Sequence, residues 1–92
     1  MIVDFKCSDT QTIFLTGKTR RWSAIKNVAE RKLLLLDNAT TLEDLKAPPG
    51  NRLEALHGDR EGQHSIRVNA QWRLCFVWTE QGVTDVEIID YH

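Results

Sequence analysis

Between Ser65 and Trp78 the chain alternates apolar and polar positions in two runs. In the second run Trp72, Leu74, Phe76 and Trp78 recur at every other residue, the period of a strand with one buried face. Arg73, Cys75 and Val77 lie between them and so point the other way. The first run sets Ile66 and Val68 against Ser65, Arg67 and Asn69. With Asn69-Ala70-Gln71 as the loop, Val68 faces Trp72, Ile66 faces Leu74 and Arg67 faces Arg73. A two-residue loop would mix the faces, so the hydrophobic pattern selects the odd-numbered loop. His64 then stands in register with Phe76 and reads as structural. Arg67 and Arg73 are expected side by side on an open face, where their repulsion points to an anionic visitor.

The remaining chain frames this hairpin. Residues 1–6 (Ile2, Val3, Phe5) read as a short strand. Ser8 followed by Gln11 has capping-box form and opens a helix through Ile13, Phe14 and Leu15 that stops at Gly17. After a basic turn, Trp22, Ile25, Val28, Ala29, Leu33 and Leu36 form one helical stripe. Residues 38–41 break it, and Thr41 with Asp44 caps one more short turn. Pro48, Pro49 and Gly50 forbid continuation. Glu54 to Leu56 reads as a short strand, 58–62 as a turn, and Glu80-Gln81-Gly82 as a hairpin turn before a last strand from Val83 to His92. The expected fold is α+β: a small antiparallel sheet with two to three helices packed on one face, as one domain over residues 1–92.

Composition adds little to that picture, but charge distribution does. The net charge is −1 over 92 residues, so no bulk basic field marks a nucleic-acid binder. Locally, Lys18, Arg20, Arg21, Lys26, Arg31 and Lys32 stand against Glu30 alone, which predicts a basic face. Cys7 and Cys75 have no metal-ligand spacing and are expected as reduced thiols. No apolar run reaches signal-peptide or membrane-span length, so a cytoplasmic protein with no membrane partner is expected. His57, His64 and His92 fit no ligand pattern, and no metal or cofactor is expected. Phosphate-binding glycine loops, serine-nucleophile motifs and dinucleotide fingerprints are missing from the sequence.

The chain ends Asp90-Tyr91-His92. A strand reaching the surface ends in polar residues for no chemical reason; the alternative is acid–base chemistry, with Arg73 holding a phosphate. Strand parity puts Tyr91 on the Arg67/Arg73 face, with Asp90 and His92 on the other unless the strand twists or bulges near its end, a choice that periodicity does not resolve. His57 joins the same set because Glu54 precedes it by three residues and Gly58 leaves its backbone accessible. The Lys18–Arg21 cluster and the helix after it read either as a solvated charged face or as a surface for phosphate backbones.

Taken together, several motifs resemble one family over essentially the whole chain. These are Met1-Ile2 with Phe5, Thr16-Gly17-Lys18, Arg20-Arg21-Trp22, Ala29-Glu30-Arg31-Lys32-Leu33 and Pro48-Pro49-Gly50-Asn51-Arg52-Leu53-Glu54. Gly58-Asp59-Arg60-Glu61-Gly62-Gln63-His64-Ser65-Ile66, Trp72-Arg73 and the terminal Asp90-Tyr91-His92 complete the set. The pattern is similar to the HigB toxins of the RelE/ParE superfamily. That resemblance implies a ribosome-dependent mRNA endonuclease, neutralised by a helix-turn-helix antitoxin of HigA type that carries the pair to operator DNA. It also implies that Arg73, Asp90, Tyr91 and His92 occupy active-site positions. The chain departs from some relatives in having Glu54 where they carry histidine and His57 where they carry lysine.

The implied chemistry is metal-free attack by the RNA 2′-OH on the adjacent phosphorus. Asp90, His92 or Glu54 would be the base, Arg73 the charge stabiliser with help from Arg67, and His57, His92 or Tyr91 the acid. Lys18, Arg20, Arg21 and Lys26, with Arg60 and Arg67, would contact RNA. Two rivals keep the scaffold without catalysis: a toxin that binds a protein such as gyrase, and a nucleic-acid-binding module acting on DNA or the ribosome through the basic face.

Overall fold

The two arginine-bearing strands pair in the register that the hydrophobic alternation requires. In the computed structural model, which describes residues 1–47 and 49–90, β2 (His64–Arg67) pairs antiparallel with β3 (Trp72–Thr79). Ile66 lies opposite Leu74, Arg67 opposite Arg73 and His64 opposite Phe76. The His64 ring stacks on Phe76 with centroids 6.2 Å apart, a structural role. β1 (Glu54–Ala55) adds to β2 with Glu54 opposite Ser65, and β4 (Gly82–Asp90) adds to β3 with Trp72 opposite Asp90. The sheet is a four-stranded antiparallel meander in the order β1-β2-β3-β4.

Two helices cover one face. The helix α1 spans Ser8–Thr16 and α2 spans Lys26–Asn38. Ile13, Trp22, Leu33 and Leu36 meet Ile66, Leu74, Phe76 and Val86 in one core, all at most 1% exposed. Burial of each such side chain contributes about 1.5–3 kcal/mol before chain entropy is set against it. The expected α+β architecture is therefore present, and the element that differs most is the N-terminal one. Residues 1–6 do not form a strand ladder; they make two isolated parallel bridges, Ile2 with Val83 and Phe5 with Val86. No helix among the described residues is long and apolar enough to cross a membrane.

Local details also depart from expectation. Ser8 is not the cap of α1. Cys7 holds the extended cap conformation and its carbonyl accepts the first helical bond, from Gln11 N at 3.1 Å, so the cap carries no side-chain acceptor and no capping box forms. Gly17 does end the helix, at φ 73°. The second helix begins later than its stripe: Trp22 is held non-helical, with its N–H donating to Thr19 Oγ1 at 3.0 Å, and Ser23–Ile25 form a 3-10 turn first. The Thr41–Asp44 capping box is present. Hydrogen bonds from the Thr40 and Thr41 amides hold the Asp44 carboxyl below its usual range. Pro48 falls outside the described residues, and the loop after it contains a 3-10 turn, Pro49–Asn51.

The outer edge of β4 would be an open row of amides. Val83 N donates to Met1 O at 2.8 Å, Asp85 N to Asp4 Oδ1 at 2.7 Å, and Ile88 N to buried Thr10 Oγ1 at 3.1 Å. Asp85 sits at the β3–β4 register shift with φ 54°. Gly82, at φ 140°, lies so close to the N-terminal segment that an added Cβ would stand 2.5 Å from Val3 Cγ2 and 2.7 Å from Met1 O. Gly82→Ala is therefore expected to destabilise the fold by about 1–3 kcal/mol. Chemical denaturation checks this, and an unchanged midpoint would contradict the edge-closing role of residues 1–6.

Candidate active site

The site is built around Arg73, in the middle of β3. An arginine here was expected on an open sheet face beside Arg67. It is instead 4% exposed, while Arg67 is only half-buried. The loop before β1 is what covers it. Arg73 Nε donates to Ser65 Oγ at 2.8 Å, and Nη2 donates to Arg52 O at 2.6 Å and to Ser65 O at 3.3 Å. Glu54 Oε1 lies 4.0 Å from Nη2. Oxygens thus replace much of the water a buried guanidinium gives up, which is what makes its burial tolerable.

The covering loop is itself pinned from below. Asn51 is fully buried; its Nδ2 donates to Leu45 O at 3.1 Å, and its Oδ1 accepts from Lys32 Nζ. Burial, then the charges of Arg31 and Arg67, hold the Lys32 ammonium below its usual range. Arg52 adopts φ 45°, uncommon for a residue with a side chain, and its carbonyl meets Arg73. The chain then enters β1, where pairing with Ser65 sets Glu54 over the arginine.

Beside Glu54 lies a cleft of about 440 Å³ lined by Glu54, Ala55, Leu56, His57, Arg60, Ile89 and Asp90. Its ionisable rim is accessible: the Glu54 side chain is 45% exposed and that of His57 is 83% exposed, with His57 Nδ1 3.6 Å from Glu61 Oε2. Arg60 is less free than the sequence suggested. It donates to Glu87 Oε1 at 2.7 Å and Gln63 Oε1 at 3.1 Å, and the bond to Glu87 raises its pKa. Cys75 lies buried on the Arg73 side of β3, and burial pushes its thiol up to about 11, so it is neutral and no nucleophile at ordinary pH. Both cysteines are free thiols.

Asp90 stands opposite Trp72, as strand parity required, and lines the cleft at the end of β4. Its Oδ2 accepts from Gln71 Nε2 at 3.1 Å. Tyr91 and His92 lie outside the described residues. Among the described residues, no three His, Cys, Asp or Glu side chains converge as a metal site.

A basic surface adjoins this end of the sheet. Lys18, Arg20 and Arg21 line a shallow concavity with Asp9, Thr12 and Thr19. Arg21 lies 3.7 Å from Asp9, and its guanidinium sits 4.8 Å from the Trp22 ring and 5.9 Å from the Trp72 ring. Because Trp72 is the cross-strand partner of Asp90, the basic turn and the cleft are neighbours. Lys26 is 3.8 Å from Glu30. Sequence reasoning missed Ser65, Asn51 and the Arg52 carbonyl. Ser65 alone left a signal, since alternation puts it on the Arg73 side of the sheet.

Comparisons with known proteins place the fold and the chain. A family model described as the RelE-like toxin of the type II toxin–antitoxin system HigB matches residues 4–92. A Vibrio cholerae protein named Toxin HigB-1 is 42% identical over 94 residues, spanning 100% of this chain and 98% of its own length. A Proteus vulgaris protein named Endoribonuclease HigB is 33% identical over 94 residues, spanning 100% of both. The crystal structure of YafQ from E. coli strain BL21(DE3) superposes with a TM-score of 0.66 over 98% of this chain and 91% of its own. At 16% identity that likeness speaks to fold alone. Sequence and fold agree: the chain belongs to the HigB family of RelE-like toxins of type II toxin–antitoxin systems.

Proposed function

We propose that this chain is an endoribonuclease that cuts messenger RNA on the ribosome without a metal ion. The observation that carries the reading is the pairing of Glu54 with buried Arg73 at 4.0 Å, together with the cleft that Glu54 lines beside His57 and Asp90. The Proteus vulgaris relative is named an endoribonuclease, which supports the same assignment.

In this reading Glu54 takes the proton of the substrate 2′-OH. The 2′-oxygen bonds to the adjacent phosphorus, the P–O5′ bond breaks, and a 2′,3′-cyclic phosphate and a 5′-hydroxyl result. Arg73 stabilises the extra charge of the phosphorane. His57 protonates the leaving 5′-oxygen, and Asp90, with Tyr91 and His92, completes the acid–base set. The ribosome supplies substrate geometry, so modest acids and bases suffice. Lys18, Arg20, Arg21 and Lys26 contact ribosomal RNA beside the cleft, with Arg60 and Arg67 nearer the message. The partner is a helix-turn-helix antitoxin of HigA type, through which the pair reaches operator DNA, and the toxin acts in the cytoplasm.

A purified translation system with and without ribosomes tests this reading. Wild type should cut message only when ribosomes are present, and EDTA should leave the cut unaffected at magnesium levels that keep ribosomes intact. Glu54→Gln should lower single-turnover cleavage by roughly 10²–10⁴-fold, the usual contribution of a positioned base. A message carrying one 2′-deoxy nucleotide at the cut should survive. Growth arrest with intact message would overturn the assignment in favour of a binding toxin.

Charge reversal at Arg20 and Arg21 should act differently. Weakened ribosome affinity and a shallower salt dependence are expected, while the rate of the bound complex is retained. An equal loss in the bound rate would instead place these arginines in the chemistry.

A further inference from the structure

Glu54 also lines a smaller notch of about 180 Å³, together with Arg52, Arg67, Asn69, Ala70 and Arg73. We propose that this notch is a second phosphate subsite, in which Arg67 and Arg52 hold the RNA phosphate one linkage from the cut. The inference rests on the nuclease reading for its ligand and adds a position to it.

Three arginines and one carboxylate line the notch, an excess of two positive charges. The carboxylate, Glu54, is already near Arg73. Among the described residues, neither Arg52 nor Arg67 forms an ion pair. Arg67 stands directly opposite Arg73 in the β2–β3 register, where like charges destabilise a sheet. Its charge also contributes to depressing the Lys32 ammonium from the α2 side. The fold thus carries an arginine at position 67 against two cations. The cost is understandable where an anion visits.

Position supports the same conclusion. Arg52 is held at φ 45° while its carbonyl accepts from Arg73, which fixes its place on the notch rim. Buried Arg73 is common to the notch and to the Glu54 pair. Glu54 lines both the notch and the larger cleft, so an RNA strand crossing it would put successive phosphates in the two. Charge-assisted contacts from two guanidiniums would then fix register along the strand.

Small-molecule titration of the full chain, followed by amide and arginine Nε–H NMR, tests the subsite without any cleavage. Adenosine 3′,5′-bisphosphate, with two phosphates, is compared with the 3′- and 5′-monophosphates. In wild type the bisphosphate should bind about tenfold more tightly than either monophosphate, the effect of one charge-assisted contact. Arg67→Gln and Arg52→Gln should each bring that ratio close to one, while a distant control, Lys46→Gln, should keep it. No bisphosphate advantage in wild type, or an advantage that persists in both arginine variants, would overturn the subsite. So would equal loss in the Lys46 control, which would mean a diffuse field. Ribosome-dependent cleavage by wild type is measured separately, so failure of the subsite and failure of the nuclease reading are distinguishable.

Discussion

A guanidinium buried in the sheet face opposite the helices is the constraint on which the candidate site depends. Arg73 cannot leave water unless oxygen atoms replace it, because an uncompensated buried charge is among the most costly features a small domain can carry. Ser65 supplies a hydroxyl and a carbonyl from the neighbouring strand, and Arg52 supplies a carbonyl from the covering loop. Those demands fix the conformation of residues 51–54 and the pairing of Glu54 with Ser65. The cleft beside Glu54 is a consequence of that arrangement.

The helix side and the site side of the sheet solve different problems. Leu74 and Phe76 are buried by apolar side chains from α1, α2 and the intervening turn, which requires shape and little else. On the other side, Arg60 with Glu87 and Arg73 with Glu54 distribute charge over a partly exposed surface, and His57 lies beside Glu61. Where the two sides meet, Arg21 lies against Trp22 and Trp72, and Asp90 pairs with Trp72 across the strands. The basic turn is thereby tied to the same end of the sheet as the cleft.

Much of this was legible in the sequence, for reasons that differ by element. Alternation from Ile66 to Trp78 specified the hairpin register, since a one-residue slip would expose Leu74 and Phe76. Gly17 and the Thr41–Asp44 pair marked local endings because their chemistry is local. The burial of Arg73 was not legible: a period of two says which face a residue occupies, not whether a loop 20 residues away covers that face. The closeness of Glu54 to Arg73 was hidden for the same reason, because it depends on β1–β2 pairing across an irregular turn. Ser8 was misread as a cap because Cys7, which gives no capping signal, takes the position. Tyr91 and His92 were singled out as titratable groups beside Asp90, with parity putting Tyr91 on the Arg73 face, and both lie outside the described residues.

The dual role proposed for Arg73, as brace for the loop and as stabiliser of the transition state, is tested most directly by the single-turnover cleavage rate of Arg73→Lys. Lysine keeps the charge but loses the planar fork that reaches Ser65 and Arg52 together. Measured where circular dichroism shows the variant fully folded, cleavage should fall by about 10²-fold or more, as for other preorganised charge stabilisers. A folded Arg73→Lys protein that cleaves at the wild-type rate would contradict this assignment and remove Arg73 from the centre of the site.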